Sequence, residues 1–205
     1  YRRRGAHWTK VSPNGDTSSV WFQRRARSYA AAFYVEPGFW TAMMEEAERR
    51  RGDRGKFTAS EGLFHDRVRF AKTPLPSFSD EWVYGDAASR AMAGQELRTV
   101  LEQESLPWMD RLRNRRDALE EVSRWDEQTA IRHGLWRPKE IAMAYLFVDV
   151  ADVGSQRERS RAEEIIEATA AIRGNDDLEV QLFREIWQLR LNGEYPRESS
   201  SRIAP

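Results

Sequence analysis

The period of the apolar residues changes once along this 205-residue chain, and that change constrains the fold more than any other feature. In the first part, apolar and polar side chains alternate in short stretches bounded by turns. His7–Val11 and Ser19–Gln23 are rich in strand formers and flank Pro13-Asn14-Gly15-Asp16, whose Asn-Gly pair accepts the positive φ of a hairpin turn. Tyr29–Val35 reads as a third strand, although its run of alanines weakens the local preference, and Pro37-Gly38 marks a bulge or a strand end. Thr41–Arg51 suits a short helix closed by Gly52-Asp53-Arg54-Gly55. Gly62–Phe70 gives the fourth strand: Phe64, Val68 and Phe70 share one parity, and His65, Arg67 and Arg69 share the other. Thr73–Ser79 reads as a linker.

From Ala87 the spacing becomes helical. One helix runs to about Glu104, and another starts at Leu106 with Pro107 in its first turn. The stripe Leu112, Leu119, Val122 and Trp125 continues until Gly134 breaks it. Pro138 opens the most apolar helix, Ile141 to about Val153. Two more cover Arg159–Ile172 and Asp177–Leu191, the last behind an N-cap at Asn175-Asp176. Strands first and helices after predict an α+β fold: an antiparallel sheet of about four strands followed by a helical carboxy-terminal region. Residues 1–85, mainly sheet, are expected to pack with helices over 86–130 as one α+β domain, with 131–205 as a helical extension.

Eight Trp and nine Phe supply the bulk that disordered chains lack. Cysteine is absent, which excludes disulfides, thiolate ligands and a cysteine nucleophile and fits a cytoplasmic protein. The longest apolar run, Ile141–Val148, falls well short of the roughly 20 residues a membrane-spanning helix needs. The basic start Arg2-Arg3-Arg4 is not followed by the apolar stretch of a signal peptide. The chain does not begin with Met, so residues upstream of Tyr1 are expected. The net charge of zero conceals a split. Through Lys72 there are 15 Lys/Arg against 8 Asp/Glu, a net of +7; from Thr73 the counts are 18 and 25, a net of −7. Such asymmetry means either a surface for an oppositely charged partner or two regions that complement each other within the molecule.

No dinucleotide, phosphate-loop, zinc-protease or serine-hydrolase motif is present. His7, His65 and His133 have no spacing that specifies a metal site, so neither metal nor cofactor is expected. The adjacent acids Glu45-Glu46, Glu120-Glu121, Glu163-Glu164 and Asp176-Asp177 read as solvated helix surface. Trp82, Trp108, Trp125, Trp136 and Trp187 read as interhelix packing. The candidate surface is basic and has three pieces: Arg2-Arg3-Arg4 with Trp8 and Lys10; Gln23-Arg24-Arg25 with Arg27 after the second strand; and His65, Arg67 and Arg69 on one side of the fourth. If the sheet gathers them, their guanidinium forks suit a phosphate or carboxylate, and His65 titrates near neutral pH. The simpler reading has these arginines covering a solvated or helix-facing side of the sheet. Trp21-Phe22-Gln23-Arg24-Arg25 interleaves aromatic and basic residues, but neighbouring strand residues face opposite ways and the pI near 7.1 argues against nucleic acid.

The order of elements resembles an uncharacterised bacterial family, a domain of unknown function. The residues that carry the resemblance are Tyr1-Arg2-Arg3-Arg4-Gly5 with Trp8, Val20-Trp21-Phe22-Gln23, Phe33-Tyr34-Val35, Phe64-His65-Asp66-Arg67-Val68-Arg69 and Leu106-Pro107-Trp108-Met109. It covers roughly residues 1–120; Trp40–Gly62 is longer and more charged than the pattern, and the helices after Arg124 lie outside it. The resemblance implies a contiguous antiparallel sheet and a helix before Tyr1 packed on it. It carries over no catalytic or binding residue.

These readings lead to a noncatalytic binding protein for a protein or a small anionic ligand, with no membrane or nucleic acid and with a homodimer compatible. The rivals are a phosphoester hydrolase using His65 with nearby arginines, and a weak nucleic-acid-binding module.

Overall fold

The Asn14-Gly15 turn fixes the first hairpin. In the computed structural model, which describes residues 2–4, 7–24, 31–52, 62–65, 82–84, 86–135 and 137–195, Gly15 has φ +84° and a Cβ there would lie 3.1 Å from the Ala42 Cβ. Only glycine meets both demands at low cost. Ser12 closes the turn, its N–H and hydroxyl both donating to the Asp16 carbonyl, at 2.8 and 2.9 Å.

β1 (Arg2–Arg4), β2 (His7–Val11), β3 (Thr17–Arg24) and β4 (Ala31–Trp40) pair antiparallel in chain order. β3 takes one edge of β4. β5 (Phe64–His65) and β6 (Trp82–Tyr84) share the other, opposite Gly38-Phe39 and Ala31–Phe33. The described sheet thus has six strands rather than about four, because two three-residue strands join it. Of the expected fourth strand, residues 66–70 lie outside the described residues.

Pro37-Gly38 neither ends nor bulges β4, which continues to Trp40. The ladder explains why. The Phe39 carbonyl accepts from Leu63 N–H at 2.8 Å, so Phe39, and by alternation Pro37, turn their backbone polar groups away from β3. Position 37 falls between the stretches paired with β5 and β6. Its missing N–H costs no β3–β4 bond.

α1 (Ala42–Arg50) follows β4 directly, capped by Thr41, whose hydroxyl accepts from Met44 N–H at 3.2 Å. α2 (Ala87–Val100) and α3 (Leu106–Leu112) are joined by a π-helical turn, Leu101–Ser105, rather than by a break. Pro107 has no N–H to continue an α-helical ladder, and the wider turn accommodates it. Val20 and Val35 of the sheet pack with Ala93, Leu97, Val100 and Met109 of these helices.

The helical run expected up to Gly134 is two further elements, α4 (Arg115–Ser123) and α5 (Glu127–Arg132). Then come α6 (Lys139–Phe147), α7 (Gln156–Arg173) and α8 (Leu178–Leu191). The N-cap of α8 is Asp177, accepting from Glu179 N–H at 2.8 Å, one residue beyond the expected Asn175-Asp176. α6 is the centre of the main core: Ile141, Ala142, Ala144, Tyr145, Leu146 and Phe147 are all buried. The same core includes Phe39 and Trp40 of the sheet and Phe183 and Trp187 of α8. Among the described residues, no helix is long and apolar enough to cross a membrane.

α6 stops at Phe147 instead of near Val153 because its exit is claimed by charge. Arg190 of α8 donates to the Asp149 and Ala151 carbonyls, and the Asp149 carboxylate turns inward to Arg115. Arg115 is 4% exposed. Its Nε donates to Asp16 Oδ2 at 2.7 Å, a second nitrogen meets Asp16 Oδ1, and a third meets Asp149. Burial works against its charge, but Asp149 and Asp16 outweigh that and raise its pKa. Asp16 also accepts from Ala42 N–H, the first residue of α1, at 3.1 Å.

Two expectations follow from these contacts. Arg115→Met leaves Asp16 and Asp149 buried without their cation and should cost about 3–5 kcal/mol in urea unfolding. Arg115→Lys should recover only part, since an ammonium lacks the fork that engages Asp16 twice. Glu45 of α1 concerns pH. Burial raises its pKa above the ordinary 4.5, the Thr17 hydroxyl donating to it works the other way, and the charge of Asp16 raises it further. A carboxyl with a raised folded pKa lends stability that is complete below its unfolded pKa and is lost as pH climbs through the folded one. Glu45→Gln keeps an acceptor for Thr17 and removes the charge. Its melting temperature should exceed that of the unaltered chain at pH 7, and the gain should disappear at pH 4.

Candidate functional site

Three local stops bring α4, α5 and α6 together at a corner. α4 ends with Trp125 N–H bonded to Val122 O at 3.1 Å, and Asp126 at once caps α5 by accepting from Thr129 N–H at 2.7 Å. α5 closes at Gly134, where φ is +74° and Leu135 N–H reaches back to Ala130 O at 2.9 Å. Pro138 then starts α6, its carbonyl accepting from Ile141 and Ala142. The corner encloses a cleft of about 580 Å³, within the range of ligand and side-chain pockets.

The floor of the cleft is apolar: Trp125, Ala130 and Leu135 are buried, and Ile131 is 49% exposed at its edge. Trp125 is held from behind. Its ring stacks on His133 at 4.8 Å and 15°, both rings contact Trp108 at 5.8 and 5.2 Å, and Phe64 meets Trp125 edge-on at 6.0 Å. Arg111 lies over Trp108 at 5.2 Å. This ring cluster fixes the floor before anything binds.

The rim carries charge of both signs, in different states of engagement. Lys139 donates to the carbonyls of Trp125 at 3.0 Å and Ser123 at 3.4 Å, closing the end of α4. Arg137 donates to Glu179 at 2.7 Å. Glu179 is fully buried and is also met by Arg51 at 3.1 Å, Arg173 at 3.4 Å and the Tyr145 hydroxyl at 2.7 Å. Burial drives the Tyr145 pKa up, and the neighbouring Glu179 charge and the bond donated to it add to that. The rim bases are therefore committed within the protein. Glu127 and Glu140 carry carboxylates with no ion pair or hydrogen bond among the described residues. They sit in the first turns of α5 and α6, where the helix ends favour negative charge without pairing it.

Of the residues singled out by sequence, Arg25, Arg27, Arg67 and Arg69 lie outside the described residues. Arg24 ends β3 opposite Phe33, and His65 lies in β5 opposite Gly38. The two positions are on opposite edges of β4 and five residues apart along it, a backbone separation of roughly 20 Å. The described residues thus do not bring Arg24 and His65 together. The charge split is partly spent inside the molecule: Lys10 bonds Asp110 at 3.2 Å, Arg50 bonds Glu185 at 2.6 Å, and Arg51 meets Glu179. The acid pairs mostly serve helix surfaces, with Glu46 on Arg50 and Glu120 on Arg161, while Glu45 is half-buried against Thr17. Among the described residues, no three His, Asp or Glu side chains converge as metal ligands. The cleft residues gave only one signal in sequence: Asp126 ahead of a short helix, with Gly134 and Pro138 behind it.

The Glu179 cluster has a measurable consequence. Glu179→Ala leaves the Tyr145 hydroxyl and three guanidinium groups without their common acceptor and should cost about 3 kcal/mol in urea unfolding. Arg173→Ala removes a 40% exposed partner and should cost less than about 1 kcal/mol.

No protein-family model, curated protein or solved structure matches this chain, so the case for its function rests on its own residues.

Proposed function

We propose that this chain is a noncatalytic binding protein and that it engages another protein through the α5–α6 cleft. The observation that carries the reading is the rigid apolar floor of Trp125, Ala130 and Leu135, open at Ile131, beside two carboxylates with no ion pair or hydrogen bond among the described residues. An apolar side chain seated there removes hydrocarbon from water at no cost in floor ordering. Negative charge left at the rim favours a protein segment over a small anion. The phosphoester-hydrolase reading rests on His65 with nearby arginines, and Arg24 and His65 lie on opposite edges of β4. Membership of the uncharacterised bacterial family belongs to the same proposal; its support is the order of elements, from the Trp8 strand through the aromatic β4 to the Leu106-Pro107 helix.

The test is selection from a displayed library of random twelve-residue peptides, run against the folded chain and against Ile131→Glu. Ile131 is half-exposed, so the substitution changes the cleft mouth and spares the core. Peptides enriched on the unaltered chain should share an apolar anchor and lose about tenfold or more in affinity for the variant. A chain that enriches no peptide, or peptides that bind the variant equally well, would remove the reading.

A further inference from the structure

The cleft does not end at α6. Glu140 also lines a second depression of about 240 Å³ between α6 and α7, where Met143 and Ile165 supply the apolar wall and Glu164 a further carboxylate. The two depressions adjoin at Glu140, and together they form a trough lined from α5, α6 and α7. Arg161, at the far side of this second depression, is already taken: it pairs with Glu120 and lies over the Phe147 ring at 5.6 Å. With Lys139 and Arg137 committed as well, each base lining the trough among the described residues is engaged. Glu127, Glu140 and Glu164 are left, and none has an ion pair or hydrogen bond for its carboxylate among the described residues. Lys139 is bonded only to carbonyls and keeps its charge, but the three carboxylates outnumber it and leave a negative surplus.

We propose that the trough accepts a basic amphipathic segment of a partner protein, with apolar side chains on Trp125 and Met143 and lysines or arginines set against Glu127, Glu140 and Glu164. The proposal rests on the cleft being the binding site and adds the chemistry of the occupant. Charge complementarity selects it: an acidic segment would bring like charge to the rim, and a purely apolar one would leave the carboxylates partly desolvated without a partner.

The experiment uses two labelled synthetic peptides, each fourteen residues long with leucines at the same helical positions, one carrying lysine and the other glutamate elsewhere. Binding to the full chain is followed by fluorescence anisotropy at low and high salt. The lysine peptide should bind at least about tenfold more tightly than the glutamate peptide. The double variant Glu127→Gln, Glu140→Gln should weaken it about fivefold at low salt and hardly at all at high salt. Ile131→Glu should weaken both peptides at high salt, where its added charge is screened and only the lost apolar contact counts. If the two peptides bind alike, the double variant changes nothing and Ile131→Glu still weakens binding, the basic occupant is wrong and the cleft reading stands. If neither peptide binds, or if Ile131→Glu has no effect, the cleft reading fails and takes the occupant with it. A concentration-dependent dimer in sedimentation that Ile131→Glu dissociates would make a second copy the occupant and overturn the proposal.

Discussion

One guanidinium joins the two halves of this molecule. Arg115 reaches Asp16 in the β2–β3 turn with two nitrogens and Asp149 beyond α6 with a third, and all three side chains are buried or nearly so. Taking these charges out of water costs several kcal/mol per ion, so the cluster is a weak source of net stability. It is a strong constraint on arrangement. Any other seating of the hairpin on the helices leaves a carboxylate in the interior without a cation. Two acids on one base would leave a negative excess, and the amino terminus of α1 offsets it by offering Ala42 N–H to Asp16. The β2–β3 turn, α1, α4 and the end of α6 are thus positioned by the same few atoms, and Arg190 of α8 holds the carbonyls beside them.

That constraint explains which parts of the fold sequence could show. Periodicity located β2, β3, β4 and most of the helices because it reports which face of an element meets the core, but it ran α4 and α5 together. It located Phe64 as a core position for the same reason, and Phe64 is 2% exposed. It did not register Arg2–Arg4 or Trp82–Tyr84 as strands, because three residues are too few to show a period and their pairing is decided by β2 and β4. Pro37 looked like a stop because its effect depends on which edge of β4 the missing N–H faces, a property of the sheet and not of the residue. The end of α6 was hidden likewise: Asp149 reads as any surface acid until Arg115 is placed beside it.

The candidate site was less legible still. Arg115 sits in the run Arg113-Asn114-Arg115-Arg116, and nothing local separates the buried arginine from its neighbours. Glu179 reads as an ordinary first-turn acid behind Asp177. The α5–α6 cleft comes from the angle between two helices joined through Gly134 and Pro138, and an angle leaves no period. The basic residues, by contrast, were conspicuous as sequence, but Arg24 and His65 fall on opposite edges of β4.

The charge split connects the fold to the trough. The basic first part of the chain, sheet and α1 together, can meet the acids of the helical region where the two touch. It does so at Lys10 with Asp110, Arg50 with Glu185 and Arg51 with Glu179. Basic residues within the helical region take further acids, as Arg161 takes Glu120. Glu127, Glu140 and Glu164 have no such partner among the described residues, and they line up on the trough that Trp125, Ile131 and Met143 make apolar. Their carboxylates remain solvated at the rim, where a partner's cation can reach them after an apolar anchor has docked. The ordering cost at the floor has already been met by the stacking of Trp125 on His133 and Trp108, so the partner segment supplies most of the ordering that binding requires.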